Sequence, residues 1–405
     1  MLLPHRVWRA IVGPVINSTV PPKSFPGDSA GLTTDEMLAR GWRAPVDFST
    51  PLAVLSQPAL DNNHQVMARW VADHGVRLAP HGKTTMTPLV IEQQLAAGVW
   101  GMTAATPWQA QTMVAAGARN VIIANETLDP YGLAWVRTAM ESDPGLTIWV
   151  YVDSVVGAQR VAERLGTGDR LVPVLLEVGL VGGRGGVRDL DTGVAVAEAV
   201  RELSGIELAG VAAFEGVYGD RLDEILAMMT TMINTCREQK LISDRPMFTA
   251  GGSGAFDAVA AAAAKVSDVD VVIRSGCYVA HDDGLYADTS PLRESLQPAL
   301  RVWARVISLP ESGLALVDAG KRDLTAEGVL PIVTAIIRNG GRLPGLDVRV
   351  DRFNDQHGYL LTDQLQVDDL VELGISHACL TFDKWRHIPV VDAEGTVINI
   401  AETVY

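Results

Sequence analysis

The sequence predicts an α/β fold: a closed (β/α)8 barrel followed by a second, mainly β domain. Three observations carry this. Eight short apolar runs, each followed by an amphipathic helical stretch, recur between residues 75 and 276. Eight such units in about 200 residues suit a closed barrel better than an open sheet, and no G-x-G-x-x-G opens any of them after its strand. After about residue 295 the texture changes to short runs separated by turn residues.

In chain order, residues 1–50 read as an irregular arm, rich in proline, glycine, serine and threonine from residue 17. Residues 51–295 form the barrel region and 296–405 the β domain. "PLAVL" (51–55) reads as a strand. Residues 59–75 read as a helix, because Leu60, Val66, Met67, Trp70 and Val71 recur at near-helical spacing. The eight barrel runs are 75–80, 99–105, 120–125, 146–153, 171–178, 206–214, 246–252 and 268–276. Strands alternating with helices imply right-handed crossovers and a parallel sheet. The last domain reads as strands, with one short helix expected near 321–340.

Composition excludes several functions. The chain is 48% hydrophobic and 20% charged, as soluble globular proteins are, and its formal net charge is -15. That charge argues against nucleic acid and against an anionic membrane surface. Cys236, Cys277 and Cys379 are too few and too scattered for a disulfide framework, which points to reduced thiols and the cytoplasm. The mildly apolar N-terminus is broken by His5, Arg6, Arg9 and two prolines, and no A-x-A site follows, which argues against a signal peptide. No apolar stretch approaches the roughly 18 residues that span a bilayer.

Barrels of this kind work at the C-terminal ends of their strands. The strand count puts Lys83, Thr106, Asn125, Asp153, Glu177, Arg184, Glu215, Tyr218, the loop 251–254 and Cys277–Tyr278 on that rim. In "RLAPHGKTTMTP" (77–88) Lys83 is either a solvated charge or an anion-binding or Schiff-base amine, since a lysine in a partly dry cleft loses basicity. "TAGGSGAF" (249–256) opens a helical run of alanines. Converging amides of Gly251, Gly252, Ser253 and Gly254 at a helix start suit a phosphate, although such a stretch is often only a tight turn. A Schiff-base lysine with a phosphate cradle outlines a pyridoxal phosphate site.

These stretches resemble a known family. "RLAPHGKTTMTP", "LLEVGLVGGRGGV", "GGSGAF", "RSGCYVAHDD", "ALRVWARVIS", "LVDAGKRDLT" and "ISHACLTFDKW" are similar, in order, to blocks of the fold-type III pyridoxal phosphate enzymes of the D-serine dehydratase and D-threonine aldolase family. The resemblance spans roughly residues 50–390. It implies an alanine-racemase-type barrel, a C-terminal β domain that the strand at 51–56 joins, and a homodimer. It makes Lys83 the lysine that carries the cofactor, with Gly251, Gly252, Ser253, Gly254 and Tyr278 at the phosphate. Glu177 and Arg184 are further cofactor-binding candidates, and His81, two residues before the lysine, is either a catalytic neighbour or a hydrogen-bonded wall residue. The chain departs from the family pattern after Glu177, where Val178 and Gly179 follow directly, and at Gln356, where similar enzymes often have glutamate.

"ISHACLTFD" holds His377 and Cys379. On a strand, residues two apart face one way, so imidazole and thiolate can share an ion; alternatively a buried cysteine sits beside a surface histidine. The resemblance implies a zinc ion, or another divalent metal, on this pair; thiolate favours zinc. His357, Asp383 and His387 are either neighbours of that site or ordinary polar residues. Trp108, Trp303 and Trp385 are either pocket walls or core. The expected activity is a lyase acting on a β-hydroxy D-amino acid, as a dehydratase yielding keto acid and ammonia. The alternatives are an aldolase yielding glycine and aldehyde, a non-catalytic carrier of pyridoxal phosphate, or a racemase, for which no second acid/base was identified.

Overall fold

A computed structural model describes residues 19–326, 328–345 and 348–405. The first 18 residues of the expected arm lie outside these. The chain divides into two units. The first takes the described residues up to Val66, Thr84–Val90 and Cys277–Tyr405; the second takes Met67–Lys83 and Ile91–Gly276.

Strand β1 (Leu52–Ser56) belongs to the first unit, and a helix over Gln57–His74 follows it. The second unit then lays down β2 (Arg77–Leu78), β3 (Met102–Ala104), β4 (Asn120–Glu126), β5 (Thr147–Val152), β6 (Val172–Glu177), β7 (Ile206–Ala212), β8 (Met247–Ala250) and β9 (Asp270–Ile273). Each falls on one of the eight expected apolar runs. All seven pairings in the order β2-β9-β8-β7-β6-β5-β4-β3 are parallel. The ends meet: Trp100 and Thr103 amides donate to the Leu78 and Pro80 carbonyls, both at 2.9 Å, and His81 bridges to Thr103. The sheet is thus a nearly closed barrel, not an open one.

Helices start cleanly after the strands because the sequence supplies caps. Thr106, Asp129, Ser154 and Asp189 each accept from amides of the first helical turn, satisfying donors that have no intrahelical partner. The barrel interior is filled by Ala79, Ile122, Tyr151, Leu175, Ala212, Met247 and Val272, so it is a packed core and not a pore.

The first unit continues with β10 (Leu300–Glu311), β11 (Leu314–Val317), β12 (Ile332–Arg338), β13 (Gly341–Pro344), β14 (Arg349–Phe353), β15 (Gly358–Leu361), β16 (Leu370–Gly374), β17 (His387–Val391) and β18 (Val397–Glu402). With β1 they make a sheet of ten strands among the described residues. β1 lies inside it, antiparallel to β10 and parallel to β17. Leu52, Ala53 and Leu55 are fully buried there. Phe25, Met37 and Phe48 of the arm pack with Leu52, Val54 and Trp303, the two phenylalanine rings edge to face at 5.2 Å. Among the described residues the helix expected near 321–340 does not form: residues 332–338 are β12, because "IVTAII" is dominated by β-branched residues that fit a pleated surface.

Candidate functional site

The barrel rim gathers the expected polar residues of the second unit. Lys83 ends that unit's first segment, in a short 3₁₀ turn over Gly82–Thr84, and its side chain is exposed. His81 is half-buried, and its Nδ1 has no hydrogen-bond partner among the described residues. Burial, with the positive charges of Lys83, Arg274 and Arg184, holds its pKa well below the usual histidine range. The imidazole therefore stays neutral at working pH, with one nitrogen available to a bound molecule.

Glu177 ends β6 and is buried. Its neighbour Glu126, at the end of β4, has its pKa pushed up to about 9 by burial and by the Glu177 carboxyl beside it, with Asp153 adding to the effect. At neutral pH the pair keeps a proton. The segment "GLVGGRGG" (179–186) folds back over this pair. Gly179 N donates to Val187 O at 2.9 Å and Val187 N to Glu177 O at 2.8 Å. Gly186 sits at φ +95°, its amide donating to Asp153 Oδ2 at 3.1 Å; a Cβ there would stand 2.6 Å from the Gly179 nitrogen. This fold carries Arg184 to 3.9 Å from Glu177 Oε1 and across the Phe214 ring at 4.9 Å.

The glycine loop after β8 is built as a cradle. Gly251, at φ +90°, and Gly252 donate their amides to the Glu215 carboxylate at 3.0 and 2.5 Å. An anion within the protein thus engages these two amides. The same loop carries the Ser253 hydroxyl, buried and 3.1 Å from that of Ser275, and then the turn at Gly254. Tyr278 belongs to the first unit, where it is buried with its ring edge-on to His64 at 6.3 Å. Arg274 was missed from sequence. It is a buried cation donating to Thr249 Oγ1 at 2.8 Å and to the Ala213 carbonyl at 2.6 Å. Lys83, the unsatisfied His81 nitrogen and the buried hydroxyls fit a pyridoxal phosphate, which needs an amine, a polar ring environment and a phosphate seat.

The metal donors lie in the first unit. His377 and Cys379 do not sit on a strand as expected; they follow β16 in a turn that enters a one-turn helix over Cys379–Phe382. The turn still brings them together, and adds Cys277, which sequence reading had not placed there. The donor atoms of Cys277, His377 and Cys379 all lie within 4.8 Å of one another. The sulfurs are 3.2 Å apart. Cys277's hydrogen bond with Cys379, and its burial, push its thiol well above the usual range. Thr84, the residue after Lys83 in the chain, places Oγ1 at 3.5 Å from Cys379 Sγ and 3.8 Å from Cys277 Sγ. The Tyr286 ring stands edge-on to His377 at 6.1 Å. An imidazole with two thiols is a zinc donor set, so a divalent ion fits.

The remaining candidates are not among the three grouped donors. His357 is exposed in a turn, Asp383 pairs with Lys384 at 3.4 Å, and His387 faces Glu402 at 3.9 Å. Trp303 and Trp385 are buried core, while Trp108 is half-exposed. Among the described residues no helix is long and apolar enough to cross a membrane.

Comparison with known proteins gives the following. Residues 55–278 match the family model described as alanine racemase, N-terminal domain, and residues 299–391 match the putative serine dehydratase domain. A D-threonine aldolase of Arthrobacter sp is 29% identical over 95% of both chains. A D-threo-3-hydroxyaspartate dehydratase of Delftia sp. (strain HT23) is 29% identical over 67% of this chain and 72% of its own. The crystal structure of a D-threonine aldolase from Filomicrobium marinum superposes with a TM-score of 0.75, at 25% identity, over 90% of this chain and 97% of the other.

Proposed function

The chain belongs to the alanine racemase N-terminal domain family of fold-type III enzymes, matched over residues 55–278, and on that footing we propose that it is a pyridoxal-phosphate- and metal-dependent lyase for β-hydroxy D-amino acids. The observation that carries the reading is that one chain holds both a barrel-rim lysine, Lys83, in one unit and the Cys277, His377 and Cys379 donor group in the other. Pyridoxal phosphate, when bound, supplies an electron sink that makes the substrate's α-proton acidic. A divalent ion, when bound, supplies positive charge at the substrate's β-oxygen.

The protein's own residues do the rest. Lys83 Nζ is the amine that would hold the cofactor and would accept the substrate's α-proton. His81, kept neutral, offers its unsatisfied nitrogen to a bound group without adding a competing charge. Ser253 and Ser275 present hydroxyls to a phosphate, and Arg184 places a cation at the mouth of the rim. His377 and Cys379 would hold the metal. These roles are supported by position and chemistry.

We place dehydration first, with keto acid and ammonia as products, because a sulfur-rich site suits zinc and departure of a hydroxyl needs Lewis acid help. Retro-aldol cleavage to glycine and an aldehyde is the second reading, favoured by the likeness to a D-threonine aldolase over 95% of both chains. Three scattered cysteines, too few for a disulfide framework, favour a cytoplasmic setting. The test is incubation of purified protein with D-serine, D-threonine and D-threo-3-hydroxyaspartate, and with their L-enantiomers. Keto acid with ammonia supports the first reading and glycine with aldehyde the second. Borohydride fixation of cofactor on the Lys83 peptide without either product would leave a carrier protein and reject the lyase.

A further inference from the structure

The resemblance described above implies two metal ligands, the His-x-Cys pair. The structure brings a third donor to them. Cys277 comes from the 3₁₀ turn over Cys277–Val279, 102 residues before Cys379 in the chain. It is buried, its sulfur 3.2 Å from Cys379 Sγ, and both sulfurs share a small volume with a His377 nitrogen. We propose that Cys277 is a direct zinc ligand, so that the metal is held by one imidazole and two thiolates with a single open position.

Geometry separates this from the other fates of a cysteine pair. A disulfide needs its sulfurs at about 2.05 Å. Two thiolates on a tetrahedral zinc, each at about 2.3 Å, stand about 3.8 Å apart. The observed 3.2 Å lies well outside bonding distance and about 0.6 Å short of the ligand arrangement. The 4.8 Å bound on all three donor atoms accommodates a zinc ion among them. Thr84 Oγ1 lies within hydrogen-bonding reach of both sulfurs, the kind of outer contact that orients metal ligands.

The ligand set decides chemistry. Two thiolates and a neutral imidazole cancel the charge of a divalent zinc, so the open position attracts a substrate oxygen by coordination more than by net charge. Two soft donors also select zinc, cobalt or cadmium over magnesium and manganese. Three protein ligands and one open position is the arrangement of catalytic zinc sites, whereas a fourth ligand would make a closed structural site.

The proposal rests on the metal-dependent reading of the site, and its test is made without substrate so that the two can fail separately. X-ray absorption on the zinc-loaded, full-length wild-type protein should show two sulfur neighbours at about 2.3 Å; one sulfur overturns the third ligand. Cobalt substitution should give thiolate-to-metal absorption whose intensity halves in Cys277→Ser; unchanged intensity overturns it. Zinc affinity, from chelator competition, should fall in the same variant by about 100-fold or more, beyond the range seen for outer-shell losses. A disulfide-linked peptide pair spanning Cys277 and Cys379, in protein isolated without zinc, would also overturn it. Should Cys277→Ser fail to fold, the wild-type sulfur count still decides. Two sulfurs in a protein that yields no lyase product would support the ligand while rejecting the lyase.

Discussion

At the scale of single residues, protonation is the sharpest handle. Glu126 is held protonated in the fold, its pKa at about 9, whereas an exposed glutamate titrates near 4.5. Between those values the folded state binds the proton and the unfolded state does not. Stability from this group therefore falls as pH rises through that window. We expect Glu126→Gln, which keeps the shape and removes the charge, to flatten the decline. The urea midpoint of the variant should exceed that of wild type at pH 9 and match it more closely at pH 5; equal slopes would contradict the assignment. Lys83→Ala should cut product formation by about 10²–10⁴-fold or more and abolish borohydride fixation of cofactor, while leaving the circular dichroism spectrum intact.

Residues also show what a sequence can and cannot reveal. Lys83 and the His377–Cys379 pair were legible because each lies in a short contiguous motif whose chemistry is local. Cys277 was not legible as a donor, because only the folded chain brings it beside a residue 102 positions later. The same holds for Glu126 beside Glu177, which come from strands that are not neighbours in the sheet. Gly251 and Gly252 were legible as a backbone cradle, but the Glu215 carboxylate that takes their amides was not.

At the scale of elements, the barrel strands were legible because apolar runs of six to nine residues ended by polar caps leave few alternatives. The metal turn was not: the His-x-Cys spacing looked like a strand, and the chain instead bends into a one-turn helix. The loop over 179–187 makes a direct prediction. Gly186→Ala would force a side chain at φ +95° against the Gly179 nitrogen. A cost of about 1–3 kcal/mol is expected, with displacement of Arg184 and a raised KM. Thermal unfolding and steady-state kinetics check both; an unperturbed variant would show the loop to be tolerant. In β1, Leu55 is fully buried within the ten-stranded sheet, and Leu55→Ala should cost about 2–5 kcal/mol in urea unfolding.

For the molecule as a whole, metal and fold should separate. Chelation is expected to abolish turnover and leave far-ultraviolet dichroism unchanged, with zinc restoring activity better than magnesium. Loss of the fold on chelation would instead make the ion structural. The resemblance to dimeric enzymes leads us to expect a homodimer, read as twice the chain mass by sedimentation equilibrium; a monomer at micromolar concentration would contradict it.

β1 is made early in synthesis, yet both of its partners, β10 and β17, are made late. Roughly the first sixth of the polypeptide must therefore wait on the ribosome, its apolar edge unzipped, until the final strands emerge to flank it. A fragment beginning at 296 would lack its middle rung, and supplying a peptide that covers 19–66 should restore it. β1 and the last strands of this chain are thus stitched into one fabric, and removing either should unravel the other.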